Sequence, residues 1–173
     1  MATGREGGFL VIGRAGMDLM PDPPGTSIEE AERFVSALGG SAANIAVALT
    51  RQGCRAALVT CVSDDAIGRY CLAQLDRYGI GRTHVRAVGG EARNSLALSE
   101  SRLEGHQTVI YRNGAADFAM TVEDVERIDY ARFLALVTTG TVLAAEPSRS
   151  AALRGVALAK EAGCEIVFDV DYR

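Results

Sequence analysis

Gly39-Gly40-Ser41-Ala42-Ala43-Asn44 decides the fold of this chain. Two adjacent glycines close the strand-like run Phe34-Val35-Ser36-Ala37-Leu38, and Ser41 then opens an amphipathic helix extending to about Gln52. Without a Cβ, glycine lets the main chain take unusual dihedrals and lets a bound molecule approach its N–H groups, while the helix start adds further unpaired donors. Asn44, in the first turn, supplies an amide that both donates and accepts. Glycine pairs most often make plain tight turns, but the coincidence with Asn44 and an upstream acid, Asp18, favours ligand contact. Asp18 by itself would read as a loop or capping residue.

Working outward, Phe9-Leu10-Val11-Ile12-Gly13 reads as a buried parallel strand whose carboxyl end turns into a loop at Arg14 and Gly16, with Asp18 just past it. The segment Pro21-Asp22-Pro23-Pro24-Gly25-Thr26 continues neither regular structure, so the chain leaves the sheet and returns at Phe34. Downstream of the glycines, Ile45 and Leu49 line the first helix with Ala42 and Ala46, and Gly53 stops it. Ala56 to Val62 forms a second apolar strand. Ile67, Cys71, Leu75 and Tyr78 then share one face of a second helix, with Asp64 and Asp65 placed to cap its start and Gly79 to end it. A βαβα beginning implies right-handed crossovers and a parallel sheet.

The middle breaks this rhythm. Asn94 to Ser101 and Gln107 to Arg112 alternate on either side of Leu103-Glu104-Gly105-His106, a hairpin signature. With Phe34 to Leu38 they predict a small antiparallel lid sheet. After Asp117 the chain reads as an acidic helix at Val122 to Glu126, a strand Leu134 to Thr139, a helix Ser148 to Ala162 stopped by Gly163, and a strand Glu165 to Val170. Asp169, Asp171 and Arg173 then lie at the carboxyl rim where open α/β sheets bind ligands. Four or five parallel strands with no closing helix leave an edge or face of the sheet uncovered.

With 173 residues, 48% hydrophobic and 23% charged, the composition is that of a soluble globular α/β domain. A net charge of −4 argues against nucleic acid or an anionic membrane as the main partner. No apolar run is long enough to span a bilayer, and Met1 to Glu6 lacks a signal-peptide layout, so the cytoplasm is expected by default. Cys54, Cys61, Cys71 and Cys164 show no CxxC pairing and read as buried thiols, while His84 and His106 lack metal-ligand spacing and read as structural or surface residues. Neither GxGxxG nor GxxxxGK[ST] is present.

Taken together, Gly39 to Ala46, Gly53, Val62-Ser63-Asp64-Asp65-Ala66-Ile67-Gly68 and Gly13-Arg14-Ala15-Gly16-Met17-Asp18 resemble the PfkB (ribokinase-like) carbohydrate kinases. Tyr111-Arg112-Asn113-Gly114-Ala115-Ala116-Asp117 and Phe168-Asp169-Val170-Asp171-Tyr172-Arg173 look like the 5-dehydro-2-deoxygluconokinases of myo-inositol catabolism, with 2-keto-3-deoxygluconate kinases as neighbours. The resemblance implies a ribokinase-like, mostly parallel sheet flanked by helices, with a small antiparallel β lid and the carboxyl-terminal half absent. Residues 9–173 would be the amino-terminal part of the kinase domain, with lid segments at about 19–38 and 92–114 and a flexible start at 1–8.

The resemblance further implies that ATP, with Mg²⁺, donates its γ-phosphoryl group to a primary hydroxyl of a sugar acid. Asp18 would accept hydrogen bonds from substrate hydroxyls, Gly39, Gly40, Ser41 and Asn44 would line the same pocket, and Arg112 and Arg173 would meet the acid end. A planar guanidinium pairs a carboxylate through two parallel hydrogen bonds, which suits a keto acid better than a neutral sugar. Without the resemblance, Arg112 reads as a solvated edge-strand charge and Asp117 as a turn residue. Ser63 stands where the family prefers glycine. No GAGD-type motif occurs, so no catalytic or metal-binding residue is assigned, and the chain alone is expected to bind substrate weakly and transfer no phosphate. A homodimer through the lid strands is expected. The reading from another class is a noncatalytic sugar-binding or dimerisation module.

Overall fold

A computed structural model describes residues 7–171. Five strands, β1 (Gly8–Ile12), β4 (Ala56–Ser63), β5 (Gly81–Val88), β8 (Phe133–Thr139) and β9 (Glu165–Asp169), form a wholly parallel sheet in the order β5-β4-β1-β8-β9. β1 lies in the middle, which explains its uninterrupted apolar sequence: Leu10, Val11 and Ile12 are fully buried, with helices on both faces. On one face α1 (Ser41–Arg51) and α2 (Ala66–Arg77) pack through Ala42, Ala43, Ala46, Cys71 and Leu75; on the other, α3 (Val122–Glu126) and α4 (Ser148–Glu161) pack through Val125, Ala151, Ala152 and Ala159. The alanines let the helices approach the sheet closely.

The helix ends follow the local sequence. Gly53, Gly79 and Gly163 have φ of 82°, 69° and 77°. At each, the glycine N–H donates to a carbonyl three residues back and the next N–H to one five residues back, as Cys54 does to Leu49 at 3.0 Å. Asp65 caps α2, accepting from Ile67 N–H at 2.9 Å and Gly68 N–H at 3.0 Å. Asp64 does not cap; its N–H donates to the Val88 carbonyl.

The lid is a second sheet of four strands, β2 (Gly16–Pro21), β3 (Phe34–Gly39), β6 (Leu96–Ser99) and β7 (Thr108–Tyr111), in the order β3-β2-β6-β7. Three differences from the sequence expectation stand out. Residues 16–21, expected as loop, form β2, so Asp18 lies within a strand. The lid is mixed, not antiparallel: β2 runs antiparallel to β3 and β6 to β7, but β2 and β6 are parallel. β6 is reached through the central sheet and enters in the same sense as β2, whereas the tight connections reverse direction. Finally, β5 extends the central sheet where no strand had been read, because its apolar positions alternate with Arg82, His84 and Arg86.

β9, like β5, has one strand neighbour, and Val167 and Phe168 within it and Val170 just past it are 49%, 50% and 65% exposed, so apolar surface is left uncovered at this edge. Among the described residues, no helix is long and apolar enough to cross a membrane.

Candidate functional site

The carboxyl ends of β1 and β8, the start of α1 and the root of the lid converge on the glycine pair. Gly40 caps α1 at φ 97° and ψ 129°, and a Cβ there would collide with the Arg14 carbonyl. That carbonyl accepts from Ala43 N–H at 3.2 Å, so the chain leaving β1 lies directly against the first turn of α1. Ser41 is the first helical residue and not a side-chain cap. Its hydroxyl instead meets those of Thr139 at 3.4 Å and Thr141 at 3.2 Å, and the two threonines meet each other at 2.9 Å. This hydroxyl cluster was missed from the sequence, although threonines flanking Gly140 at the end of an apolar strand sit where such sheets bind ligands.

Asp18 reaches the same place from the lid. It pairs with Ala37 across β2 and β3, and its half-buried carboxylate lies where a Cβ on Gly39 would stand. A side chain at position 39 would therefore have to push the acid aside. Asp18, Gly39, Gly40 and Ser41 are thus brought together. Asn44 lies one helical turn on, exposed, its N–H donating to the Gly40 carbonyl at 2.9 Å.

Arg112 follows β7. The register Asp18↔Ala97↔Ile110 places Ile110 in the same row as Asp18, two strand spacings or roughly 10 Å across the sheet. Continued alternation carries Arg112 to the same face. Its guanidinium Nη2 donates to Asp117 Oδ2 at 2.6 Å and its Cζ sits 4.2 Å from the Phe118 ring centroid. The side chains of Arg112 and Asp117 are 17% and 3% exposed. This excludes the solvated edge charge, and it makes Asp117 more than a turn residue: a buried carboxylate holds the guanidinium in place. Arg112 Nε and Asp117 Oδ1 are buried with no hydrogen-bond partner, one donor and one acceptor in spare capacity. Arg173 lies outside the described residues. The chain leading toward it crosses Gly140, whose missing Cβ leaves room for the Val170 carbonyl beside the threonine cluster.

Asn94 ties the lid root to the central sheet and was also missed from the sequence. Its Oδ1 accepts from Ser63 N–H at 2.6 Å and Ser63 Oγ at 2.9 Å, and its Nδ2 donates to the Ala15 carbonyl at 3.1 Å and approaches Cys71 Sγ at 3.2 Å. Ser63, where the family pattern prefers glycine, is thereby part of this tie. The cysteines are free thiols with Cys61, Cys71 and Cys164 buried. Burial pushes the Cys71 thiol up to about 12, with the Asp65 and Asp18 carboxylates adding to it, and burial pushes Cys61 likewise to about 12, so neither is a nucleophile at neutral pH. Among the described residues no group of three or more His, Cys, Asp or Glu side chains is placed to hold a metal ion.

Comparison with known proteins places this geometry. The profile of the pfkB family carbohydrate kinases matches residues 8–173. A 5-dehydro-2-deoxygluconokinase of Photobacterium profundum is 37% identical over 164 residues, covering 95% of this chain and 50% of that protein. The crystal structure of a PfkB protein from Polaromonas sp. superposes with a TM-score of 0.86 at 26% identity, covering 96% of this chain and 56% of that one. An uncharacterized sugar kinase from Pyrococcus horikoshii, solved in complex with ATP, superposes with a TM-score of 0.82 at 23% identity, covering 95% of this chain and 53% of that one. The fold is ribokinase-like, and the chain spans about half the length of the curated relatives it matches.

Proposed function

The chain belongs to the pfkB family of carbohydrate kinases, and from that premise we propose that it forms the substrate-binding and lid part of an ATP-dependent, cytoplasmic sugar-acid kinase. The substrate is 5-dehydro-2-deoxy-D-gluconate, converted to its 6-phosphate in myo-inositol catabolism. The observation that carries this reading is the Asp18 carboxylate seated against Gly39 at the entry to α1.

In this reading Asp18 accepts hydrogen bonds from sugar hydroxyls and fixes the ring or chain against bare backbone at Gly39 and Gly40. Ser41 and Asn44 flank it. Arg112, held by Asp117 and Phe118, turns its remaining donors to the acid end, with Arg173 assigned the same role by family resemblance alone. A guanidinium locked before the ligand arrives loses little entropy on binding, which favours a carboxylate over a neutral group. ATP with Mg²⁺ supplies the phosphoryl group and neutralises its charge when bound. The described residues offer no acidic cluster for that ion, so the chain's own part is to bind and orient the acceptor. A homodimer through the lid belongs to the same reading, supported by the exposed apolar residues of its edge strands, Phe34, Val35, Val109 and Tyr111.

Thermal shift of the purified chain with 5-dehydro-2-deoxygluconate, gluconate and glucose tests the substrate class. The keto acid is expected to stabilise most, with the shift lost in Asp18→Asn. Equal shifts by glucose would overturn the acid preference, and no shift with any acid at saturating concentration would overturn the site. The chain alone is expected to show no ATP-dependent turnover. Sedimentation gives the oligomeric state; a monomer at high concentration sinks the lid dimer.

A further inference from the structure

Ser41, Thr139 and Thr141 bring their hydroxyls into a triangle from residues 98 and 100 positions apart. Thr139 ends β8, Thr141 follows Gly140, and Ser41 opens α1. Thr139 is fully buried, whereas Ser41 and Thr141 are half-buried. A Cβ on Gly13, at φ 151°, would meet the Ala42 methyl and stand 3.6 Å from the Thr139 hydroxyl, so the end of β1 closes the inner side of the triangle. The outer side opens through Ser41 and Thr141.

The three contacts are unequal. Bonds between hydroxyls cluster at about 2.7–2.8 Å. The two threonines, at 2.9 Å, come close to that, but Ser41 stands 3.2 Å from Thr141 and 3.4 Å from Thr139. A staple fastening α1 to β8 would draw Ser41 in to full hydrogen-bond distance; here it stands off on the open side. The wide edge between Ser41 and Thr141 is where a further hydroxyl fits, because each of these groups can give one proton and still accept.

We propose that one alcohol group of the acceptor enters at that edge and closes the triangle into a ring of four. The ligand hydroxyl donates to Thr141, Thr141 to Thr139, Thr139 to Ser41, and Ser41 back to the ligand oxygen. Every oxygen then gives one proton and takes one, and hydrogen bonds in such a chain polarise and strengthen one another. Ser41 and Thr141 are thereby specificity-determining contacts, and Thr139 is a positioning residue that touches no ligand. A keto oxygen has no proton for Thr141, and a methylene engages neither side chain, so the triangle selects an alcohol at one carbon of the sugar acid. The inference rests on the reading that the acceptor lies against Asp18, Gly39 and Gly40, immediately before Ser41 in the chain, and adds which functional group is recognised there.

Titration of the chain, its threonine methyls ¹³C-labelled, with 5-dehydro-2-deoxygluconate, gluconate and each singly deoxygenated gluconate tests it. Saturable shifts of the Thr139 and Thr141 methyls are expected. In the parent, removal of one particular gluconate hydroxyl weakens binding roughly tenfold; in Thr141→Val gluconate itself binds roughly tenfold weaker and that discrimination disappears. Thr141→Ser and Thr139→Ser keep the hydroxyl and are expected to bind within about twofold of the parent. Undiminished discrimination in Thr141→Val, or Thr141→Ser as weak as Thr141→Val, would overturn the proposal. Asp18→Asn separates it from the site itself: loss of binding there, with Thr141→Val and Ser41→Ala binding as the parent does, leaves the sugar-acid site standing and removes the ring. Absence of a saturable shift with any acid removes the site and the ring together.

Discussion

The Asp18 carboxylate occupies the space into which any side chain on Gly39 would grow. The two residues lie on neighbouring antiparallel strands, Asp18 opposite Ala37 and Gly39 opposite Gly16, so their relation is diagonal across the ladder. One residue on, Gly40 turns the chain into α1. Gly39→Ala is therefore expected to displace the acid and not merely to stiffen the turn. The obstructing atoms are the end of a side chain that can turn aside, so the stability cost is expected to stay under about 1 kcal/mol and the loss to fall on the sugar-acid shift. Equilibrium urea unfolding checks the cost, and a Gly39→Ala variant that unfolds like the parent and still shows the sugar-acid thermal shift would contradict this geometry.

Arg112 and Asp117 form a buried pair, and removing either partner leaves the other charge uncompensated. Arg112→Ala and Asp117→Ala are each expected to destabilise the chain by about 3 kcal/mol. The double variant is expected to lose clearly less than the sum, since no lone charge remains. Additive losses in denaturant midpoints would show the pair to be energetically uncoupled.

Asn94 uses its acceptor on Ser63 and its donor on the Ala15 carbonyl. Asn94→Ala leaves buried polar groups unpaired, and a loss of about 1–3 kcal/mol is expected. Asn94→Asp keeps an acceptor for Ser63 but sets a carboxylate against the Ala15 carbonyl, so it should not restore the parent stability. Full rescue by aspartate would show that the contact to Ala15 carries no weight.

Asp124 governs part of the acid response. Burial by itself would raise its carboxyl, but hydrogen bonds from Arg86 and from the Thr121 N–H, with the Arg86 charge, outweigh burial and hold it below the ordinary carboxylate range. A carboxyl depressed in the folded state stabilises above its unfolded pKa of about 3.9, and that stabilisation is lost as pH falls through the folded value. The urea midpoint should therefore hold steady from neutral pH to about 5 and fall below about 4. Asp124→Asn should start lower at neutral pH and fall less steeply in acid. Parallel curves for the two proteins would remove Asp124 from the account.

The sequence by itself determined what depends on neighbours along the chain. Gly53, Gly79 and Gly163 end three helices because a left-handed residue is needed just after the last turn, and Asp65 caps α2 because its carboxylate reaches N–H groups two and three residues on. The apolar runs of β1, β4 and β8 announced a buried parallel sheet, and the glycine pair before α1 was legible as a close backbone approach. Only the tertiary structure decided the rest. β2 carries too weak an alternation to read until β3 and β6 pair with it, and the parallel β2–β6 contact joins residues some eighty positions apart. Other pairings between distant segments set Asp18 over Gly39 through β2 and β3, gather Ser41 with Thr139 and Thr141, and close Asn94 onto Ser63. Sheet register selects those partners, and register is a property of which strands meet, which no local window of residues contains.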